Sequence, residues 1–134
     1  MMPLEHQVTS QELSQKLKSL GQPQESLFTW YRFKSFVPKM GDTWSLVLEN
    51  EEAWQGTYEE KCAAFTVGEL GEMLPPKINE LQFNIERDFF DKSWVAQYVD
   101  ENYLLLGKEW SYMAETEANA RAKMLIYLLK NKLI

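Results

Sequence analysis

The spacing of apolar residues along this chain changes from a helical period to a strand-like period and back again. Leucines between Thr9 and Leu20 recur at the three- and four-residue intervals of an amphipathic helix. Between Glu80 and Asp88, apolar and polar residues alternate strictly, which is typical of an antiparallel strand with one face in water. The helical period returns from Thr116 to Lys130, with alanines first and larger side chains later. The pattern therefore predicts helices together with an antiparallel sheet.

Two of the predicted helices share one start signature. In the segments 8–13 (VTSQEL) and 65–70 (FTVGEL), an apolar residue precedes a threonine, and a glutamate and a leucine follow. This order combines a capping box with a hydrophobic staple, so it predicts helices that begin at Thr9 and Thr66. Gly21 and Asn131 are placed as left-handed stops after the first and last helices, and a proline pair at 75–76 ends the second.

The remaining predicted strands are rich in aromatic and branched residues between turn signals. They cover Leu27 to Val37, Trp44 to Leu48, an edge strand from Tyr58 to Ala64, Ser93 to Val99, and Tyr103 to Leu106, which Glu109 to Met113 extends. We therefore predict an α+β fold in which three helices pack mainly on one face of an antiparallel β-meander of about five strands, in the order α-β-β-α-β-β-β-α. Residues 1–7 are expected to form a flexible tail, and residues 8–134 a single domain.

Composition and charge limit the classes of function. A chain of 134 residues that is 45% hydrophobic can build one packed core without a disulfide or a metal. The formal net charge of -6 disfavours general binding to nucleic acid, and a basic partner or a small molecule is easier to accommodate. The single cysteine, Cys62, indicates a reducing compartment. Because no signal peptide or membrane-spanning run is recognisable, we expect a cytoplasmic protein without membrane contact.

No set of residues typical of an active site is recognisable. His6 is the only histidine, so no multi-histidine metal site can form, and a histidine-based triad in the tail is disfavoured. Cys62 is interpreted as a small buried apolar residue. Glu80, Glu86 and Asp88 share the polar face of one strand and are interpreted as solvated surface; a metal-dependent enzyme that uses these carboxylates is the third functional hypothesis. We therefore expect no enzymatic activity, no cofactor and no bound metal.

A basic and aromatic segment in the first predicted strand is the candidate interaction surface. Alternate positions of this strand would bring five side chains to one face: Phe28, Trp30, Arg32, Lys34 and Phe36. Such a face can bind a protein partner or a second copy, or it can stack on nucleobases. The competing interpretation is a strand buried on both faces, from which the two basic side chains reach solvent. The acidic stretch from Glu49 to Glu60 is interpreted as solvated surface, with mimicry of DNA as the alternative.

Parts of the chain resemble a group of small proteins from mobile genetic elements. The residues that carry this resemblance are 116–131 (TEANARAKMLIYLLKN) and 64–70 (AFTVGEL), together with Leu74-Pro75. They are similar to uncharacterised proteins of phages and integrated mobile elements, particularly in Bacteroides-type bacteria. The resemblance covers the second half of the chain and a matching first helix, and it implies no particular activity because none is assigned to that family.

A second resemblance concerns the order of elements from Thr66 onward. This order, a helix followed by three strands and a second helix, is similar to the order in double-stranded RNA-binding domains and in HicB-like antitoxins. The RNA-binding family places lysines at the start of its last helix, where this chain has Glu115, Thr116 and Glu117. We therefore favour a non-catalytic phage or mobile-element accessory protein that acts through protein contacts, which include formation of a homodimer. A nucleic-acid-linked or antitoxin-like regulator that uses the strand 28–36 is the alternative.

Overall fold

Two antiparallel sheets and three α-helices form an α+β fold in the computed structural model, which describes residues 2–33, 43–48 and 58–134. The helices are α1 (Gln11–Ser19), α2 (Val67–Met73) and α3 (Glu117–Lys130). The strands are β1 (Phe28–Phe33), β2 (Thr43–Leu48), β3 (Glu60–Ala64), β4 (Lys77–Ile78), β5 (Leu81–Arg87), β6 (Trp94–Val99) and β7 (Ser111–Ala114). Two 3-10 helices cover Leu4–His6 and Lys108–Trp110. The predicted α+β class is confirmed.

The larger core lies between the four-stranded sheet and the helices α2 and α3. The strand order is β4-β5-β6-β7, and every neighbouring pair is antiparallel. The predicted alternation in β5 is confirmed, because Leu81, Phe83 and Ile85 contribute to this core whereas Glu86 is exposed. The register places Ile85 opposite the fully buried Ala96 of β6. Strand β6 therefore lies at the centre of the sheet and of the core.

The smaller sheet contains three strands in the order β2-β1-β3 and is separate from the first, although the sequence predicts a single meander. Strand β1 lies in the centre and is antiparallel to both neighbours, and α1 packs against β3. Helix α2 and the proline pair at 75–76 intervene between β3 and β4, so the chain leaves one sheet before it enters the other. Strands that follow each other along a chain often pair, but alternation alone does not specify which do.

The segment that precedes α1 connects the smaller sheet to the chain that enters α2. Val8 forms an isolated antiparallel bridge with Thr66. The amide and the hydroxyl of Thr9 both bind Phe65: the amide donates to the Phe65 carbonyl at 2.9 Å, and the hydroxyl accepts from the Phe65 amide at 3.0 Å. The Thr9 carbonyl accepts a hydrogen bond from Nε1 of Trp30 at 2.8 Å. Thr9 therefore joins β1, the chain that enters α2 and the start of α1.

The two predicted capping boxes have different outcomes. At α2 the box is confirmed, because the Thr66 hydroxyl accepts from the Glu69 amide at 3.2 Å and the Glu69 carboxylate accepts from the Thr66 amide at 2.8 Å. At α1 the prediction is wrong, because the N-cap is Ser10, whose hydroxyl accepts from the Leu13 amide. The Thr9 hydroxyl is instead used in the buried connection to the chain that enters α2.

The predictions of left-handed residues at the ends of α1 and α3 also have different outcomes. Gly21 has a φ of +88° and ends α1 as expected. After α3 the prediction is wrong by one residue, because Asn131 has a φ of −98° and Lys132, with a φ of 54°, takes the left-handed conformation. The Asn131 amide and its side-chain nitrogen both donate to the Tyr127 carbonyl. These bonds continue the helical pattern through Asn131, so the chain reverses one residue later.

The predicted strand from Tyr103 to Leu106 is wrong, because these residues form an exposed loop. The Asp100 carboxylate accepts from the amides of Asn102 and Leu104, each at 2.9 Å, and Tyr103 has a φ of 61°. This turn directs the chain away from the sheet. The strand predicted as an extension at Glu109 to Met113 is a 3-10 helix followed by β7, which pairs with β6.

Some of the predicted features lie outside the described residues. They are the end of the first predicted strand beyond Phe33, which includes Lys34 and Phe36, and residues 49–57 of the acidic stretch. The amino-terminal residues 2–7 are exposed and include a 3-10 helix, and their predicted flexibility stays a prediction.

Candidate functional site

The described part of the candidate strand packs into the smaller sheet. Phe28, Trp30 and Arg32 share one face of β1 as expected, but Trp30 is only 8% exposed and donates its Nε1–H to the Thr9 carbonyl. Arg32 forms an ion pair with Glu60 at 3.3 Å. The intervening residues, Thr29 and Tyr31, are buried as well. Burial of both faces favours the interpretation of this strand as a packing element.

The carboxylates of the third functional hypothesis make separate structural contacts. Glu86 accepts a hydrogen bond from the Gln97 side chain at 3.1 Å, and Asp88 accepts from the Phe90 amide at 2.8 Å. Glu80 is exposed in the turn before β5. Within the described ranges, no group of three or more histidine, cysteine, aspartate or glutamate side chains is placed to hold a metal ion.

The buried Cys62 lines a small cavity of about 150 Å³ together with two lysines, Lys18 and Lys61. Burial raises the pKa of the Cys62 thiol to about 11; Lys18 opposes this rise and Glu60 adds to it. Lys18 donates its ammonium group to the Lys61 carbonyl at 2.6 Å, at the outer edge of β3. At neutral pH the group is a thiol rather than a thiolate, and a thiol is a poor nucleophile.

The turn between β5 and β6 presents two phenylalanines to solvent. Phe89 is 92% exposed and Phe90 is 98% exposed, and we call this pair the Phe tip. The Asp88 carboxylate accepts from the Phe90 amide, and the Asp88 amide donates to the Ser93 carbonyl at 2.7 Å. Lys92 completes the turn with a φ of 62°. These contacts fix the turn, so both rings are held in water at a defined place.

The loop between β6 and the second 3-10 helix also exposes apolar side chains. Its four consecutive members, the Leu loop, are Tyr103 (73% exposed), Leu104 (61%), Leu105 (43%) and Leu106 (66%). Two acidic residues, Asp100 and Glu101, precede the Leu loop, and Lys108 and Glu109 follow it. The Asp100 carboxylate holds the Leu104 amide, so the loop is anchored to the end of β6.

An apolar cavity of about 310 Å³ opens between the amino-terminal segment and the starts of α2 and α3. Its apolar wall consists of Met2, Leu4, Phe28, Val67 and Trp94, and its other lining residues are His6, Gln7, Thr66, Gly68 and Glu117. Trp94 follows Ser93 directly, so the cavity lies beside the turn that carries the Phe tip. The molecule therefore has an apolar projection and an apolar cavity close together.

Sequence reasoning missed both exposed apolar segments. Phe89 and Phe90 fall between the strands predicted at Glu80 to Asp88 and Ser93 to Val99. Two adjacent phenylalanines between strands are a signal of exposure because a single strand face cannot take both. The Leu loop has the composition of a strand, and its only contrary signal is the turn-forming Asp100 before it.

Comparison with known proteins places the chain in no family. No protein-family model, no curated protein and no solved structure matches it. Over the part of the chain that the structure describes, no helix is both long enough and apolar enough to cross a membrane. The functional proposal therefore rests on the geometry of the sites above and on the sequence.

Proposed function

We propose that this chain is a non-catalytic accessory protein of a phage or mobile element and that it binds another protein through the Leu loop. The exposure of four consecutive apolar residues carries this proposal, because soluble monomers seldom leave large contiguous apolar patches in water. The proposed origin is supported by the resemblance of residues 64–75 and 116–131. We further propose a cytoplasmic location, which fits the single buried thiol of Cys62.

The charges near the Leu loop indicate what kind of partner fits it. Asp100 and Glu101 precede the apolar side chains, Lys108 and Glu109 that follow carry opposite charges, and the whole chain has a net charge of -6. Charge complementarity increases the rate of association and selects against partners of like charge. The partner that fits best is therefore a protein with an apolar groove bordered by lysine or arginine.

The anchoring of the loop favours binding. Because Asp100 holds the amides of Asn102 and Leu104, part of the backbone is ordered before a partner arrives. Ordering a segment in advance lowers the entropy that binding must offset. The leucine side chains then act as anchors that enter an apolar groove.

The experiment is the selection of peptides from a random library on the immobilised full-length chain. We expect the selected peptides to combine leucine or phenylalanine with lysine or arginine and to bind less tightly as salt increases. The paired substitution Leu104→Ser and Leu106→Ser should weaken their binding at least about tenfold. Both side chains are largely exposed, so the fold should be retained.

The matched control is the paired substitution Phe89→Ser and Phe90→Ser, which removes a similar apolar surface from the opposite end of β6. This control should leave peptide binding unchanged. The proposal is wrong if no peptide is selected, or if the selected peptides bind the Leu loop variant as well as they bind the unmodified chain.

The alternative, a nucleic-acid-linked regulator that acts through β1, has less support. Trp30 is buried and Arg32 is paired with Glu60, so two of its proposed contact residues already have structural roles. Glu117 lies in the first turn of α3, where a phosphate-binding helix would favour a base. Binding of RNA or DNA that weakens steeply with salt would support this alternative.

A further inference from the structure

The Phe tip is an apolar projection and the apolar cavity is a recess of the same chain, and the Phe tip does not fill the cavity of its own copy. The two rings are almost completely exposed, so they do not enter the cavity of their own chain. The cavity is walled by apolar side chains, and Trp94 connects it directly to the turn that carries the rings. A projection beside a cavity is the arrangement that allows two copies to exchange contacts around a two-fold axis.

We propose that two copies of this chain form a symmetric dimer in which Phe89 and Phe90 of each copy occupy the apolar cavity of the other. Because each copy supplies one projection and one cavity, the same contact is made twice and the assembly closes at two subunits. This dimer is independent of the Leu loop and of the proposed partner.

The area of the contact fits a weak, reversible dimer. A buried phenylalanine removes about 200 Å² from water, so the two rings of both copies remove at most about 800 Å². The cavity walls that they cover expose less area than the rings do, so the total stays near or below about 1,000 Å², the size of weak, reversible interfaces. The rings start from exposures of 92% and 98%, so little of this area is already buried in the monomer.

The charges around the two features permit the contact. Asp88 uses its carboxylate within the turn, where it accepts from the Phe90 amide. The carboxylate that lines the cavity, Glu117, is paired with Arg121 at 2.9 Å. The approach of one copy therefore does not place two unneutralised carboxylates against each other.

The organisation of the turn also favours association. Hydrogen bonds of the Asp88 backbone and side chain fix the turn before binding, so the rings lose little freedom when they are buried. Paired aromatic anchors that enter a pocket supply most of the binding energy in many interfaces.

The test is sedimentation equilibrium of the full-length chain across a concentration series. We expect a monomer–dimer equilibrium, and we expect the paired substitution Phe89→Ser and Phe90→Ser to weaken dimer formation at least about tenfold. The matched control, Leu104→Ser with Leu106→Ser, should dimerise as the unmodified chain does. Circular dichroism of each variant checks that the fold is retained.

A second variant tests the cavity from the opposite side. Gly68 lies on the cavity wall in α2, and a Cβ there would meet only the Thr66 hydroxyl, at 4.0 Å. Gly68→Trp should therefore fill the cavity without straining the chain, and it should weaken dimer formation although the Phe tip is intact. Glu72→Trp, at an exposed position of the same helix outside the cavity wall, is the comparison.

The outcomes separate this proposal from the proposed function. Loss of the dimer with retained peptide binding in the Phe tip variant supports the dimer. The dimer proposal is overturned by a chain that stays monomeric at about 100 μM, well above a micromolar dissociation constant, or by a dimer that persists in both the Phe tip and Gly68→Trp variants. Unchanged peptide binding in the Leu loop variant would contradict only the proposed function.

Discussion

Thr9→Val tests how β1 of the smaller sheet is joined to α1 and to the chain that enters α2. The Thr9 hydroxyl accepts from the Phe65 amide at 3.0 Å and lies 2.6 Å from the Ser14 hydroxyl. Thr9 and Ser14 are both fully buried, so water cannot replace a lost partner without rearrangement. Valine has almost the shape of threonine, and the substitution therefore removes the hydrogen bonds while it largely preserves packing.

The expected cost follows from the groups that are left without a partner. Valine leaves the Phe65 amide buried and unsatisfied, which costs about 1–3 kcal/mol. The Ser14 hydroxyl can still donate to the Thr9 carbonyl, at 3.3 Å, so its loss is smaller. We expect Thr9→Val to lower the free energy of unfolding by about 2 kcal/mol. Thr9→Ser keeps the hydroxyl and should cost about 1 kcal/mol for the lost methyl group.

Urea denaturation measures these differences. The midpoint should fall, while the slope of the free energy of unfolding against urea concentration stays unchanged. Ser14→Ala and the double variant Thr9→Val with Ser14→Ala complete a double-mutant cycle. The double variant should lower the free energy of unfolding by about 0.5–1 kcal/mol less than the sum of the two single variants. The reasoning is refuted if valine costs less than about 0.5 kcal/mol, or if serine costs as much as valine.

Three further predictions concern the helix ends and alkaline pH. Thr66→Ala should lower the free energy of unfolding by about 1 kcal/mol, because the amide at the start of α2 loses its partner, and urea titration measures this loss. Lys132→Gly should raise the melting temperature because it relieves a positive φ, whereas Lys130→Gly, within α3, should lower it; equal shifts would contradict this reasoning. Burial raises the pKa of the Cys62 thiol to about 11 and the pKa of Tyr98 above its usual range. The neutral groups therefore stabilise the fold, and this stabilisation is lost as the pH rises above about 9. In urea titrations, Cys62→Ala should lose less free energy of unfolding at alkaline pH than the unmodified chain does. An unchanged pH dependence would count against burial of the Cys62 thiol as the cause.

Features that depend on a few neighbouring residues are predictable from this sequence. The capping box of α2 needs only Thr66 and Glu69 in the right order, and the structure has both hydrogen bonds. The alternation from Leu81 to Arg87 identifies the buried face of β5 without knowledge of its partners. In these places local preference and long-range packing favour the same structure.

Features that depend on distant contacts are not predictable in the same way. The sequence around Thr9 has the signature of a helix cap, but Phe65, more than fifty positions away, binds the hydroxyl instead. The same limit applies to the Leu loop, where strand-like composition is overridden by the turn that Asp100 forms. The candidate surface on β1 also depends on distant contacts, because Trp30 is buried by Thr9 and by the strands on either side of β1.

The Phe tip and the Leu loop lie at opposite ends of β6, so one can form a dimer while the other binds a partner. The Phe tip precedes β6 and the Leu loop follows it, so a strand of six residues, about 20 Å long, separates them. Ala96, Tyr98 and Val99 are fully or almost fully buried, which makes this strand a rigid spacer. A dimer formed through the Phe tip would therefore leave both Leu loops accessible and at a fixed separation. Two linked loops bind a partner with two grooves more tightly than one loop does, although no contact is added. Loss of the Phe tip should then weaken binding to such a partner while it leaves binding to a single peptide unchanged.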